Sequence, residues 1–119
     1  MAHALAAHAA ERQSQIARNV ANADTPGYKA QDLSPFADTL DASSATAMRA
    51  TRAGHLHGQG DASAAAIRER PGEASPNGNT VSVENEMMQA ARVRQSHDMA
   101  LSTYSSARGI MSAALGKAR

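Results

Sequence analysis

Apolar positions recur at helical spacing near both ends of this chain and thin out between them. From residue 2 to 23, Leu5, Ala9, Ile16 and Val20 fall on steps close to 3.6, and only Arg12 breaks the ladder. Ala6, Ala10, Ala17 and Ala21 form a second, shallow stripe one position along. The packing face of this predicted helix is therefore mostly methyl groups, and a partner backbone can come close. The helix has to stop near Asp24, because Thr25 precedes Pro26 and pre-proline residues avoid the α region. Thr25-Pro26-Gly27-Tyr28 suits a type II turn, with proline second and Gly27 supplying positive φ at the third place. Ser34-Pro35 reads as an N-cap followed by a proline in the first helical position. With Phe36 and Leu40 four apart, one or two helical turns are expected over 35–41.

The far end carries the strongest pattern. Val83, Met87, Ala90, Arg94, His97, Leu101, Tyr104, Arg108, Met111 and Leu115 follow alternating steps of 4 and 3, the signature of a coiled-coil seam. A helix is expected over 82–119, with Asn79, Thr80 or Ser82 as its cap. Glu84 and Glu86 in its first turn and Lys117 and Arg119 in its last complement the helix macrodipole. Arg94, His97 and Arg108 either snorkel along the helix face or set register in the seam. Ser102, Gly109 and Gly116 recur every seven residues beside the seam, with Ser105 and Ser112 as companions. Such small residues either admit another helix closely or face water. Two periodic ends predict an all-α fold, an antiparallel coiled-coil hairpin in one structural unit. Its parts are a helix and turn over 1–40, a middle over 41–79 and a long helix over 80–119. A two-helix hairpin leaves the outer sides of both stripes uncovered, so neighbours are implied.

Composition explains why the middle differs. Of 119 residues, 28 are alanine, while Leu, Ile, Val and Phe together number only 14, too few for a large compact core. Residues 41–79 hold five of the eight glycines, and Met48, Leu56 and Ile67 are their only large aliphatic side chains. That is too little apolar surface to offset an ordering cost of ~1–2 kcal/mol per residue, so this segment is expected to be largely irregular and mobile. Twelve basic and eleven acidic side chains leave a net charge of +1, without the basic excess of a nucleic-acid or membrane-surface binder. No apolar run approaches the ~20 residues that cross a bilayer. The start, Met1-Ala-His-Ala-Leu-Ala-Ala-His, lacks the basic and apolar regions of a cleaved signal peptide.

Ala17-Arg18-Asn19-Val20-Ala21-Asn22-Ala23-Asp24-Thr25-Pro26-Gly27-Tyr28-Lys29-Ala30 resembles the N-terminal signature shared by bacterial flagellar rod and hook proteins. Its Thr-Pro-Gly-Tyr-Lys-Ala version is most similar to the proximal rod protein family, FlgB. Phe36 to Leu40, the Arg49-Ala-Thr-Arg-Ala-Gly-His-Leu stretch and Asn79-Thr-Val-Ser-Val-Glu-Asn-Glu-Met agree in order. The resemblance implies a structural subunit of the flagellar basal body, exported through the flagellum's own apparatus and polymerised as a rod across the periplasm. Its partners would be other rod and basal-body subunits and copies of itself. The competing class is a small helical adaptor or export chaperone that binds one partner helix and never polymerises.

Candidate sites follow from the signature. Asn19 and Asn22 either cap the end of the first helix locally or bridge to the last helix or a neighbouring subunit. The turn at Thr25, Pro26 and Gly27 would aim Tyr28 and Lys29 at a contact surface. Val83, Met87, Leu101, Tyr104, Met111 and Leu115 are the expected seam. No catalytic, cofactor or metal site is expected. His55-x-His57, with His3, His8 and His97 elsewhere, has no cysteine or carboxylate cluster to complete a metal set. Gly58-Gln-Gly60-Asp lacks the flanking strand and helix of a phosphate loop, and no serine stands in a nucleophile elbow.

Overall fold

A computed structural model describes residues 1–40 and 65–116. Helix α1 spans Ala2–Ala21, strand β1 Gln31–Leu33, a short helix α2 residues 36–40, strand β2 Ile67–Glu69, and helix α3 Val83–Ala114. The described chain is mostly helical, with its two long helices where the periodicity puts them. At ~1.5 Å per residue their lengths are ~30 and ~48 Å.

Each helix end has a local cause. Helix α1 stops at Ala21 because Asn22 satisfies its last carbonyls before Pro26 intervenes. The Asn22 N–H reaches Arg18 O at 3.1 Å and Asn19 O at 3.0 Å, and the Asn22 side-chain amide donates to Arg18 O at 2.8 Å. The turn follows as expected, with Tyr28 N–H donating to Thr25 O at 3.2 Å and Gly27 at φ 73. Helix α2 occupies most of the span expected over 35–41, with Thr39 N–H donating to Pro35 O. Helix α3 is capped by Ser82, whose Oγ accepts from Asn85 N–H at 3.4 Å. It ends at Ala114, ahead of Gly116 at φ 69, and the expected C-terminal charges Lys117 and Arg119 lie outside the described residues.

The expectation of an all-α fold is corrected by a small sheet. Strands β1 and β2 pair antiparallel, with Gln31 opposite Glu69, Asp32 opposite Arg68 and Leu33 opposite Ile67. Ser34 N–H to Ala66 O at 2.9 Å and Arg70 N–H to Ala30 O at 2.7 Å extend the ladder. Three residues per strand are too few for a period-2 pattern, and all of β2 is exposed, so no apolar alternation announces it. Residues 65–79, read as part of the irregular middle, thus hold a strand and a bonded turn. The rest of that segment, with Met48, Leu56, His55, His57 and the Arg49 to Leu56 stretch, lies outside the described residues.

The core between the long helices is small: Ala9, Ile16 and Val93, with Ala90 packed against them. Asn19 meets Glu86 and Arg12 meets Gln89, so rising positions on α1 meet falling positions on α3. The face that α3 turns inward is set by Glu86, Val93 and Ala100, one position N-terminal to the predicted seam. Met87, Leu101, Tyr104, Met111 and Leu115 are 48–75% exposed and Val83 is 43% exposed. None of these six seam residues is buried. The physical reason is that Glu86 is drawn inward by polar partners, which fixes the rotation of α3 and leaves small residues to meet the alanine face of α1. Helix α1 departs in the same way: Leu5, Ala9 and Ile16 turn inward, but the stripe continues through buried Asn19, and Val20 is 42% exposed.

Truncation separates the two faces of α3 and α1. Ile16→Ala should cost about 2–5 kcal/mol in urea unfolding of the full chain, whereas Met87→Ala should stay within about 0.5 kcal/mol. A loss at Met87 equal to that at Ile16 would return the seam to the contact between α1 and α3.

Candidate functional site

The signature segment lies between the end of α1 and the approach to α3, and the two strands of chain are sewn together there. Gly27 N–H donates to Asn77 O at 3.0 Å and Thr80 N–H to Tyr28 O at 3.0 Å. Ala30 N–H donates to Thr80 Oγ1 at 2.9 Å, and Lys29 Nζ to Gly78 O at 3.2 Å. Asn79, 1% exposed, closes the arrangement. Its Nδ2 group donates to Asn22 O at 2.9 Å and to Ala23 O and Thr25 O at 2.8 Å. Its Oδ1 accepts from Val81 N–H at 2.7 Å. Two amide hydrogens serving three carbonyls means that one is shared. One side chain thereby satisfies carbonyls that a helix end leaves without partners.

Asn19 does the equivalent work one turn back along α1. It has no exposed surface, and its carboxamide pairs with the backbone of Gln31 in both directions. Nδ2 donates to Gln31 O at 2.7 Å while Oδ1 accepts from Gln31 N–H at 3.2 Å. The side chain stands in for a neighbouring strand along the inner edge of β1. Its second amide hydrogen reaches Glu86 Oε2 at 3.2 Å, and Oδ1 also accepts from the Tyr28 hydroxyl at 3.3 Å and Gln15 Nε2 at 3.4 Å.

Four charged side chains continue from Glu86 across the sheet. Glu86 is fully buried and pairs with Arg70 Nη2. Arg70 Nη1, which makes no hydrogen bond, lies 3.8 Å from Asp32 Oδ2. Asp32 receives both Nε and Nη2 of Arg12, at 2.7 and 2.6 Å, and Arg12 Nη2 also donates to Gln89 Oε1 at 3.3 Å. Burial alone would raise the Asp32 carboxyl pKa, but the Arg12 hydrogen bonds and charge, the Leu33 N–H and the Arg70 charge together hold it below the usual carboxylate range. The Arg12 guanidinium is pushed up, chiefly by its hydrogen bond to Asp32. A histidine adds a further tie: His8 Nε2 donates to Ser34 O at 2.9 Å, and its ring meets the edge of Phe36 at 5.6 Å.

The predicted site residues divide into two groups. Asn19 reaches the last helix, while the Asn22 side chain stays local, capping Arg18 O and accepting from the Thr25 hydroxyl at 3.2 Å. Thr25, Pro26 and Gly27 form an exposed turn. Of the two side chains expected to be aimed at a contact surface, Tyr28 turns its hydroxyl toward Asn19 and Lys29 reaches Gly78 O. Arg12, Asp32, Arg70, Asn79 and Glu86 were not among the predicted site residues. Arg12 did leave a signal, as the one charge interrupting an apolar ladder. The polar groups here are spent largely on one another, and the chemistry they perform is holding. Among the described residues no group of three or more His, Cys, Asp or Glu could hold a metal ion, and no helix is long and apolar enough to cross a membrane.

Two measurements probe this clasp. Asn79→Ala strips three carbonyls of their donor and should destabilise the chain by about 2–4 kcal/mol in chemical denaturation. An unchanged midpoint would mean that water replaces the amide at no cost. For Asp32 the folded pKa lies below the unfolded one, so its stabilising contribution is full above the unfolded value of about 3.9 and is lost as pH falls through the folded value. The melting temperature should therefore drop between about pH 5 and pH 2, and Asp32→Asn should flatten that drop. Parallel curves for the two proteins would remove Asp32 from the acid response.

The match to known proteins falls on this region. The model of the flagella basal body rod protein family matches residues 2–29, which are α1 and the turn carrying Asn19, Asn22 and Gly27. The chain is 38% identical over 106 residues to the flagellar basal body rod protein FlgB of Escherichia coli (strain K12), covering 81% of this chain and 76% of that protein. It is 34% identical over 107 residues to FlgB of Salmonella typhimurium, covering 82% and 77%. With FlgB of Agrobacterium fabrum it shares 31% identity over 93 residues, covering 74% and 69%. Similarity of this degree over most of each relative's length makes the chain a member of the FlgB family, and it is a structural rod subunit of the flagellar basal body.

Proposed function

We propose that this subunit polymerises through its terminal helices, with copies of itself and with other rod and basal-body subunits, into the proximal rod in the periplasm. In this reading the chain is made in the cytoplasm and passes through the flagellar export apparatus without a cleaved signal peptide. Helices α1 and α3 pair as an antiparallel coiled-coil hairpin, a reading supported by the opposite order of their contacts. The observation that carries assembly is that α3, apart from buried Val93, leaves its large apolar side chains exposed. Met87, Leu101, Tyr104, Met111 and Leu115 present a stripe on its exposed side. A groove of about 670 Å³ with an alanine floor, lined by Ala9, Ala10, Ala90 and Ala91 and edged by Arg94 and His97, runs between the helices. Small floors admit helices closely and apolar stripes bury favourably at ~25 cal/mol per Å². Asn19, Asn22, Thr25, Pro26, Gly27, Tyr28 and Lys29 serve assembly by fixing how the two helices leave the clasp.

Basal bodies purified from a strain lacking this protein and viewed by electron microscopy should have no completed rod. Restoring the protein with Leu101→Glu and Met111→Glu should leave its circular dichroism unchanged while motility stays absent. Intact rods in the deletion strain, or full motility with the doubly substituted chain, would overturn the reading.

A further inference from the structure

The turn that feeds Asn79 into the clasp contains Asn77 followed by Gly78, the residue pair most open to intramolecular deamidation. The glycine backbone nitrogen attacks the asparagine Cγ, a C–N bond forms, the Cγ–NH₂ bond breaks and ammonia leaves. Water then opens the five-membered imide to an aspartyl or an isoaspartyl linkage. The step requires only water, and glycine favours it because no side chain shields the attacking nitrogen.

The fold bears on both reacting groups. The Gly78 N–H is held by Ser75 O at 2.7 Å, so the nitrogen must give up a short hydrogen bond before it loses its proton. The carboxamide it would attack is restrained as well, because Asn77 Oδ1 accepts from Asn79 N–H at 3.0 Å. The product would also be costly to the structure. In an isoaspartyl linkage the main chain runs through the former side chain and lengthens by one carbon, and the former Asn77 carbonyl becomes part of a free carboxylate. That carbonyl is the acceptor for Gly27 N–H, and the next one, Gly78 O, is the acceptor for Lys29. Gly78 occupies φ 80, a backbone conformation that glycine adopts readily. Asn79 is one residue further on, with its amide spread over three carbonyls of the opposite strand.

We propose that Asn77–Gly78 is a modification site gated by the fold: the closed clasp protects it, the unfolded chain exposes it, and the isoaspartyl product cannot close the clasp again. The proposal is independent of how subunits assemble.

The test incubates the full chain in neutral buffer with and without denaturing urea. The tryptic peptide 69–92 is then followed by its amide-to-acid mass gain and by isoaspartyl methyltransferase labelling. Conversion should be at least about tenfold slower in the folded chain, the effect of two hydrogen bonds that must first open. Equal rates in the two conditions would overturn the gating. The isoaspartyl fraction, separated and returned to native buffer, should melt well below the Asn77→Asp chain, which keeps the Oδ1 acceptor and the original main chain. If the two melt together, the clasp tolerates the rerouted backbone and the second half of the proposal fails.

Discussion

A carboxyl group with no exposed surface, that of Glu86, sets the terms for the rest of this structure. Removing such a group from water costs several kcal/mol unless charge and hydrogen bonds replace its hydration. Arg70 and Asn19 supply them, and neither is free to move. Asn19 is locked against the backbone of Gln31, while Arg70 stands beside Asp32, which is held in turn by Arg12. The dependence runs from α3 through the residue after β2 to β1 and back to α1. With a helix–helix core of only a few mostly small side chains, apolar packing could accommodate several rotations of α3. The polar partners select one, because any other would part Glu86 from Arg70 and Asn19.

This also explains which parts of the fold could be read from the chain. The existence of both long helices was legible, since a 3.6 or 3.5 period survives over many turns. So was the turn at Pro26 and Gly27, whose backbone demands leave few alternatives. Which side of α3 faces inward was not. A hydrophobic pattern assigns every Glu and Arg to solvent, and among the described residues Glu86, Arg12 and Arg70 depart from that assumption. Met87, Leu101 and Tyr104 make a cleaner apolar stripe than Glu86, Val93 and Ala100. Asn79 looked like a possible cap for α3, while its amide serves the end of α1 from across the chain. A tyrosine after a turn carries no mark in the sequence of the hydroxyl partner it meets, which for Tyr28 is Asn19.

The family match on residues 2–29 has a structural corollary. Those residues are one half of the clasp, and its other half comes from Asn77, Gly78, Asn79, Thr80 and Glu86. The signature segment is thus completed by contacts from the approach to the last helix. A change near residue 79 reaches the signature as directly as a change within it.

Arg12, Asp32, Arg70 and Glu86 bring two positive and two negative ends into one small volume, so as ionised groups their charges cancel. A neutral quadruple has a field that dies away much faster than that of a lone charge, and salt at physiological strength already shortens the reach of any remainder to about 8 Å. The junction is strongly held inside yet nearly silent outside. Copies set side by side at a short repeat would meet almost no mutual repulsion from it, however many were stacked. Ionic strength would then govern such an array through the exposed side chains on the outer helix faces and leave the junctions within each copy largely untouched.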